Sequence, residues 1–183
     1  VTEYDGYLYC KSWAFIPHNK IETKSNKEGV DYKKMIAQGI CFSCGDDAID
    51  YSFVEEFIMN LEENYGVEII QIGYDVYNAM STAQKLEYKD FDMVQVRQHS
   101  SILHAPTKLL LEFILHRTFR YFDNRLLEIN FQNARCTEDT NKNKYVNKKK
   151  SSGKVDMVVS TIIAVYLYQQ QQLSPESFAI EVI

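Results

Sequence analysis

The apolar run of residues 67–72, followed at once by Gly73, Tyr74 and Asp75, restricts the fold of this chain more than any other feature. A short continuous apolar run is typical of a strand covered on both faces, as in a parallel sheet. Ligand sites in such sheets gather at the carboxyl ends of the strands. The pattern therefore predicts a site at Asp75, although an aspartate here would equally suit a turn or the cap of a following helix.

The rest of the chain predicts alternating strands and helices. Strands are expected over 7–15, 67–72, 92–97 and 126–131, and helices over 51–65, 79–88, 106–122 and 155–169. Pro106 is expected in the first turn of its helix, and residues 20–34 look polar and irregular. The 183 residues, 45% of them hydrophobic, can bury one core. We therefore expect a single α/β domain over 1–183, with a mixed sheet covered by helices.

A second informative feature is a lysine-rich segment that leads into the last apolar helix. Its six lysines are at positions 142, 144, 148, 149, 150 and 154. Asp156 follows in the first turn of the expected helix, where the helix dipole favours an aspartate whatever its function. Charge runs are most often solvated loops. Because the basic loop runs directly into a carboxylate, the combination nevertheless indicates an anionic partner.

Composition narrows the function classes. The 20 basic and 25 acidic residues give a net charge of −5, which argues against a dedicated nucleic-acid binder and makes local charge the useful quantity. The four cysteines are too few for a disulfide framework. Cys41 and Cys44 have the spacing of half a zinc site, but no second pair follows. The longest apolar run, 155–168, is too short to span a bilayer.

The two aspartates suit one kind of chemistry. Phosphodiester cleavage by two divalent ions needs hard oxygen ligands that hold the ions about 4 Å apart. Asp75 and Asp156 are each expected at the end of a buried element, where such ligands are held firmly. Such a site makes its nucleophile without histidine, so His99 and His104 are interpreted as polar loop residues.

Several short segments, taken in order, resemble the C-terminal nuclease domain of tailed-phage terminase large subunits. The segments are 13–17, 45–51, 72–78, 96–98, 106–108, 133–134 and 148–156. The likeness covers nearly the whole chain. It implies a ribonuclease H-like fold and Mg²⁺- or Mn²⁺-dependent endonuclease cutting of double-stranded concatemeric DNA during phage DNA packaging.

The resemblance also implies roles for particular residues. Of three acidic metal positions in the family, the second corresponds to Asp75 and the third to Asp156. The first belongs on a strand before the turn at residues 4–6 and has no counterpart, since Glu3 and Asp5 lie too near that turn. DNA contacts are expected from Lys148, Lys149, Lys150 and Lys154, and supporting roles from Asn78, Gln98, Lys108 and Asn133.

The resemblance finally implies partners and a setting. In the full-length protein these are double-stranded DNA, an ATPase domain, the small terminase subunit and the portal or procapsid, in the host cytoplasm and without a membrane. No phosphate-binding loop of an ATPase occurs in the sequence, so a truncated domain or a prophage remnant with an incomplete metal site is expected. Two alternatives stay open, a non-catalytic module that binds DNA or a packaging partner, and an unrelated α/β domain.

Overall fold

The fold is described from a computed structural model that covers residues 1–173, without the side chains of residues 76–78. The strands in this range are β1 (Thr2–Tyr4), β2 (Tyr7–Cys10), β3 (Ala14–Ile16), β4 (Cys41–Ser43), β5 (Ile72–Tyr74), β6 (Met93–Gln95), β7 (Phe119–Tyr121), β8 (Cys136–Glu138) and β9 (Lys144–Val146). The α-helices are α1 (Ile21–Glu28), α2 (Tyr32–Ala37), α3 (Tyr51–Met59), α4 (Leu61–Tyr65), α5 (Val76–Glu87), α6 (Ser100–Leu115), α7 (Arg125–Asn133) and α8 (Asp156–Gln172).

The strands pair in both directions. β1 lies antiparallel to β2, which in turn pairs parallel with β7. β3 and β4 form a parallel pair, as do β5 and β6. β8 and β9 form an antiparallel hairpin. The expected mixture of parallel and antiparallel pairing, with helices beside it, is confirmed.

Helix α8 is the centre of the structure. Its side chains Val158, Ile162 and Val165 are almost fully buried among residues of β2, β6 and α6. A second cluster, which includes Ile16 and Leu127, packs on the first turn of α8. A helix that is surrounded by other elements must be apolar on most sides, which explains the strongly apolar sequence predicted as a helix here. No helix in the described residues is long and apolar enough to cross a membrane.

The predicted strand over 67–72 was wrong in its bounds. The strand β5 begins only at Ile72, whereas Val67 and Ile70 are 49% and 56% exposed. The backbone N–H of Ile69 donates to the Glu62 carboxylate instead of to a neighbouring strand, at 2.7 Å. The parallel pairing that the run predicted is nevertheless present between β5 and β6.

Two further predictions were wrong near the N-terminus. The strand expected over 7–15 is divided into β2 and β3, which pair with different partners. The segment 20–34 is not irregular but contains α1 and the start of α2, because Ile21, Val30 and Tyr32 are buried in the second cluster. Asp31 caps α2 by accepting from the Lys34 N–H at 3.0 Å.

The middle of the chain departs from prediction at two helices. Helix α6 begins at Ser100, so Pro106 lies inside it and not in its first turn, and the chain forms β7 before residue 122. The expected strand over 126–131 is the helix α7, with Leu126, Leu127 and Asn130 buried at helical spacing. Asn124 caps that helix by accepting from the Leu127 N–H at 2.9 Å. The predicted helices that correspond to α3, α5 and α8 and the strand β6 are confirmed.

Candidate active site

Asp75 follows β5 and occupies the cap position before α5, but its carboxylate does not cap the helix. One of its oxygens, Oδ2, accepts from the Gln98 side-chain N–H at 2.6 Å. Gln98 follows β6, and the parallel pairing of Tyr74 with Gln95 brings it to the same sheet edge. The half-buried carboxylate is therefore held in place by a neighbouring loop and retains lone pairs for another ligand.

Asp156 is the first residue of α8 and is 64% exposed at its side chain. The Lys148 ammonium lies 3.4 Å from one of its oxygens. The first turn of α8 is fixed by a different residue, because the Met157 N–H donates to the side chain of buried Asn130 at 3.2 Å. Asp156 is thus positioned by its neighbours while its own carboxylate faces solvent.

The loop before α8 is shaped by two asparagines. Asn147 Oδ1 accepts from the backbone N–H groups of Lys149 and Lys150, at 3.0 and 3.2 Å. The Asn133 amide donates to the Lys154 carbonyl at 3.2 Å and also lies against Gly153, where a Cβ would come within 2.6 Å of it. Asn133 thus holds the loop backbone, and its supporting role in the site stays a prediction.

Packing of β5 on α8 orients the end of β5 that carries Asp75 toward the N-terminus of α8, where Asp156 lies. Gln71 contacts Gln171 through their side-chain amides, whereas Gly73 lies against Ile163 and Leu167. The strand and the helix therefore run in opposite directions, and Asp75 points toward the N-terminus of α8. Measured from the contact of Gly73 with Ile163, Asp75 lies about 7 Å further along the strand and Asp156 about 10 Å further along the helix.

Within residues 1–173, no third carboxylate joins them in a group able to hold a metal ion. The described residues contain no group of three or more acidic, histidine or cysteine side chains able to hold a metal ion. Glu3 accepts from the Gly6 N–H at 2.6 Å, so it closes the β1–β2 turn. Its charge also helps to raise the pKa of Tyr168, an effect smaller than that of burial. Glu3 thus lies near Tyr168, about 18 Å along α8 from Asp156.

The other predicted residues have different surroundings. Lys148, Lys149, Lys150 and Lys154 are exposed around the N-terminus of α8. Lys108 lies two turns into α6 and faces Glu112, with 3.9 Å between the charged groups. The side chain of Asn78 lies outside the described residues.

His104 and His99 make hydrogen bonds that stabilise the fold, and Cys41 is buried. His104 lies in α6, and its Nδ1 accepts from the Lys144 N–H at 2.8 Å, which ties β9 to that helix. His99 caps α6 by accepting from the Ser101 N–H at 3.3 Å. Burial raises the pKa of the Cys41 thiol to about 11, with a smaller contribution from Cys44. Neither residue type joins the two aspartates in a cluster within the described residues.

A cleft of about 380 Å³ beside Asp156 was not anticipated from the sequence. Its walls include Trp13, Phe15, Lys24 and Lys154, which come from opposite ends of the chain. Such a cleft has no local sequence signal, because it exists only where β3, α1 and α8 meet.

Comparisons with known proteins identify the family and the fold of this chain. A family model described as the terminase large subunit endonuclease domain matches residues 1–172. The crystal structure of the HK97 bacteriophage large terminase superposes with a TM-score of 0.76 at 17% identity, over 84% of this chain and 32% of that one. The large terminase nuclease from thermophilic phage G20c gives a TM-score of 0.52 at 16% identity, over 68% of this chain and 64% of that one.

This chain therefore spans about a third of the HK97 protein and just under two thirds of the G20c nuclease. A search of curated proteins found no match. The two superpositions confirm the expected ribonuclease H-like fold, a mixed sheet flanked by helices. By the match over residues 1–172, the chain belongs to the family of terminase large subunit endonuclease domains.

Proposed function

We propose that this chain is a metal-dependent DNA endonuclease domain in which Asp75 and Asp156 bind Mg²⁺ or Mn²⁺. The proposal rests on the position and the hydrogen bonding of the two carboxylates. Each stands at a helix N-terminus without capping it, and the packing of β5 on α8 orients the end of β5 that carries Asp75 toward the N-terminus of α8. Carboxylate oxygens are the ligands that these ions prefer.

The chain's own residues would position the reacting groups. Gln98 orients Asp75, and Asn130 with Asn133 fixes the backbone around Asp156. Divalent ions bound at such a site supply an activated water and stabilise the leaving oxygen. Two carboxylates make an incomplete two-metal site. The family resemblance assigns the missing ligand to a strand before the turn at residues 4–6.

The exposed lysines would contact DNA phosphates. The four residues concerned are Lys148, Lys149, Lys150 and Lys154. Such contacts are independent of sequence and sensitive to salt. If all four neutralise phosphates of double-stranded DNA, log K should fall against log salt with a slope of roughly −3.6. Each lysine-to-glutamine change should reduce the slope by about 1, whereas Lys27→Gln, on the exposed side of α1, should not change it.

The partners belong to the same proposal. The substrate would be double-stranded concatemeric phage DNA, and the full-length protein would carry an ATPase domain and meet the small terminase subunit and the portal or procapsid. This assembly would operate in the cytoplasm of the bacterial host.

Metal binding can be tested on the chain itself. We expect Mn²⁺ to broaden the amide NMR signals of residues near Asp75 and Asp156 first, because paramagnetic broadening is local. Asp75→Asn and Asp156→Asn should each weaken this effect. Asp92→Asn is the matched control, since Asp92 precedes β6 and pairs with Gln71. Broadening that persists unchanged in both site variants would refute the ligand assignment.

Cleavage is tested in the full-length parent. Asp75→Asn and Asp156→Asn should each abolish Mg²⁺-dependent cutting, because each removes a ligand charge, while Asp92→Asn should cut normally. The isolated chain should cut weakly or not at all. Robust Mg²⁺-dependent nicking by the isolated chain would contradict the incomplete site.

The second candidate function is a non-catalytic module that binds DNA or docks on a packaging partner. It is favoured by the absence of a three-ligand metal cluster in residues 1–173. Salt-dependent DNA binding, together with no Mn²⁺ broadening at Asp75 or Asp156 at millimolar metal, would select this candidate.

A further inference from the structure

The cleft beside Asp156 has the composition of a binding site for a flat, anionic molecule. Its lining includes two aromatic residues of the β3 region, Trp13 and Phe15, and two lysines, Lys24 and Lys154. Its volume of about 380 Å³ falls within the range of about 300–1,000 Å³ typical of small-molecule sites. The cleft is therefore large enough for a single nucleotide.

Lys24 is the most informative residue of the cleft. It lies on α1 and is half-buried, yet within the described residues it forms no ion pair. The surrounding protein removes part of its hydration, and an unpaired cation in such a place costs free energy. Lys154, which also lines the cleft, likewise has no carboxylate within ion-pair distance in the described part of the chain. The two ammonium groups are thus available to an anion.

The rings of Trp13 and Phe15 are packed against other aromatic rings. The Trp13 ring lies 5.2 Å from that of Phe57, and the Phe15 ring lies 5.8 Å from that of Phe42 and 5.3 Å from that of Phe57. Supported rings lose little freedom when a ligand packs on them. A nucleobase is the flat apolar group that joins naturally to a phosphate, and stacking on aromatic side chains tolerates every base.

The negative charge of Asp156, which also lines the cleft, does not exclude a phosphate there. Asp156 is paired with Lys148, and its carboxylate is largely exposed. Lys24 and Lys154 add two positive charges to the same cleft. The balance of charged groups that line the cleft therefore favours an anion.

We propose that the cleft binds one unpaired nucleotide of the DNA strand next to the cut, with its phosphate between Lys24 and Lys154 and its base against Trp13 and Phe15. The location next to Asp156 rests on the proposed nuclease function, because it places this nucleotide beside the metal ligands. A strand end held in this way would be unpaired from its complement over that nucleotide.

The test uses the chain's single tryptophan. Trp13 lines the cleft, so its fluorescence reports occupancy directly, without metal and without cleavage. We expect 5′-phosphorylated dithymidylate to quench this fluorescence to saturation. Lys24→Gln should weaken the binding by about tenfold or more, the usual effect of losing a charged hydrogen-bond partner. Lys24→Arg should retain it, and Lys27→Gln on the same helix is the matched control.

Two results would overturn the proposal. One is the absence of saturable quenching at millimolar dinucleotide, and the other is equal binding by the Lys24→Gln and Lys27→Gln variants. Inorganic phosphate provides a further comparison. If it competes as strongly as the dinucleotide, the cleft holds a phosphate but no base, and the proposal fails. Normal Mn²⁺ broadening at Asp75 and Asp156 in any of these cases would leave the proposed nuclease function intact.

Discussion

Asn130 offers the sharpest test of how the α8 end of the site is held. Its side chain is 3% exposed and makes two hydrogen bonds. Oδ1 accepts from the Met157 N–H at 3.2 Å, and Nδ2 donates to the Leu126 carbonyl at 2.9 Å. The first N–H groups of a helix have no partner within it. Asn130→Ala therefore removes the partner of a buried N–H in the turn that carries Asp156.

The expected cost follows from these contacts. Leaving the buried Met157 N–H without its acceptor costs about 1–3 kcal/mol. The Leu126 carbonyl loses little, since it retains its backbone hydrogen bond within α7. Alanine is a better helix former than asparagine by about 0.5 kcal/mol, which offsets part of the loss. We expect Asn130→Ala to lower the free energy of unfolding by about 1.5 kcal/mol, the middle of the range that remains after this offset.

Urea unfolding measures this change. If the free energy of unfolding falls by about 2 kcal/mol per molar urea, the urea midpoint should fall by about 0.5–1 M. Gln132→Ala is the matched control, because Gln132 is exposed on the same helix, and its effect should stay within about 0.5 kcal/mol. A local readout accompanies it, as the Met157 amide should exchange its hydrogen faster in Asn130→Ala. Asn130→Asp retains an acceptor oxygen and should preserve most of the protection.

Two outcomes would refute the reasoning. If Asn130→Ala moves the midpoint no more than Gln132→Ala, the hydrogen bond to Met157 contributes nothing measurable. If the midpoint falls but the Met157 amide keeps its protection, the loss arises from packing in α7 and not from the start of α8.

Three further changes test other parts of the fold. Gly73→Ala would place a Cβ 2.5 Å from Ile163 Cγ2. We expect this overpacking to destabilise the fold by about 1–3 kcal/mol, measured as a lower melting temperature. Ile163→Ala in the same chain should restore part of the lost stability. Glu55→Ala removes the acceptor of the buried Thr82 hydroxyl at 2.9 Å and should lower the urea midpoint, whereas Glu55→Gln should lower it less. Burial raises the pKa of Cys41 to about 11, so its contribution to stability is full below the unfolded pKa of about 8.5 and is lost as pH rises toward 11. The fall in the urea midpoint from pH 8 to pH 10.5 should therefore be smaller in Cys41→Ala than in the unchanged chain.

The helices that the sequence predicted correctly have complete local signals. Helix α3 follows Asp50, whose side chain accepts from the Ser52 N–H, and α4 ends at Gly66 in the left-handed conformation. Caps and apolar spacing depend only on neighbouring residues, so they can be read without knowledge of the fold. The same applies to α8, whose apolar residues continue through the whole helix.

The wrong assignments arose where two local signals compete. Leu126, Leu127 and Phe131 fit a short strand as well as a helix, and only the cap at Asn124 distinguishes the two. Pro106 was given the first turn because proline favours it, although His99 already provides a cap for a helix that begins earlier.

The cleft beside Asp156 could not be predicted from local sequence patterns. Trp13 and Lys154 are far apart in the chain and meet only because β3 and the N-terminus of α8 pack together. Lys24 in particular stands in a segment that looked polar and irregular. Lys24 is a candidate ligand-binding residue because it is half-buried without an ion pair in the described residues. Burial depends on the folded chain, so the sequence alone did not indicate it.

For the two aspartates, the sequence presents alternatives that only structure can separate. A ligand and a helix cap need the same residue type at the same position, so pattern alone cannot distinguish them. At Asp75 the carboxylate accepts from Gln98 and does not cap α5. At α8 the capping bond comes from Asn130, which leaves Asp156 exposed. Because neither carboxylate caps its helix, the lone pairs that remain on both are consistent with the metal-binding role proposed above.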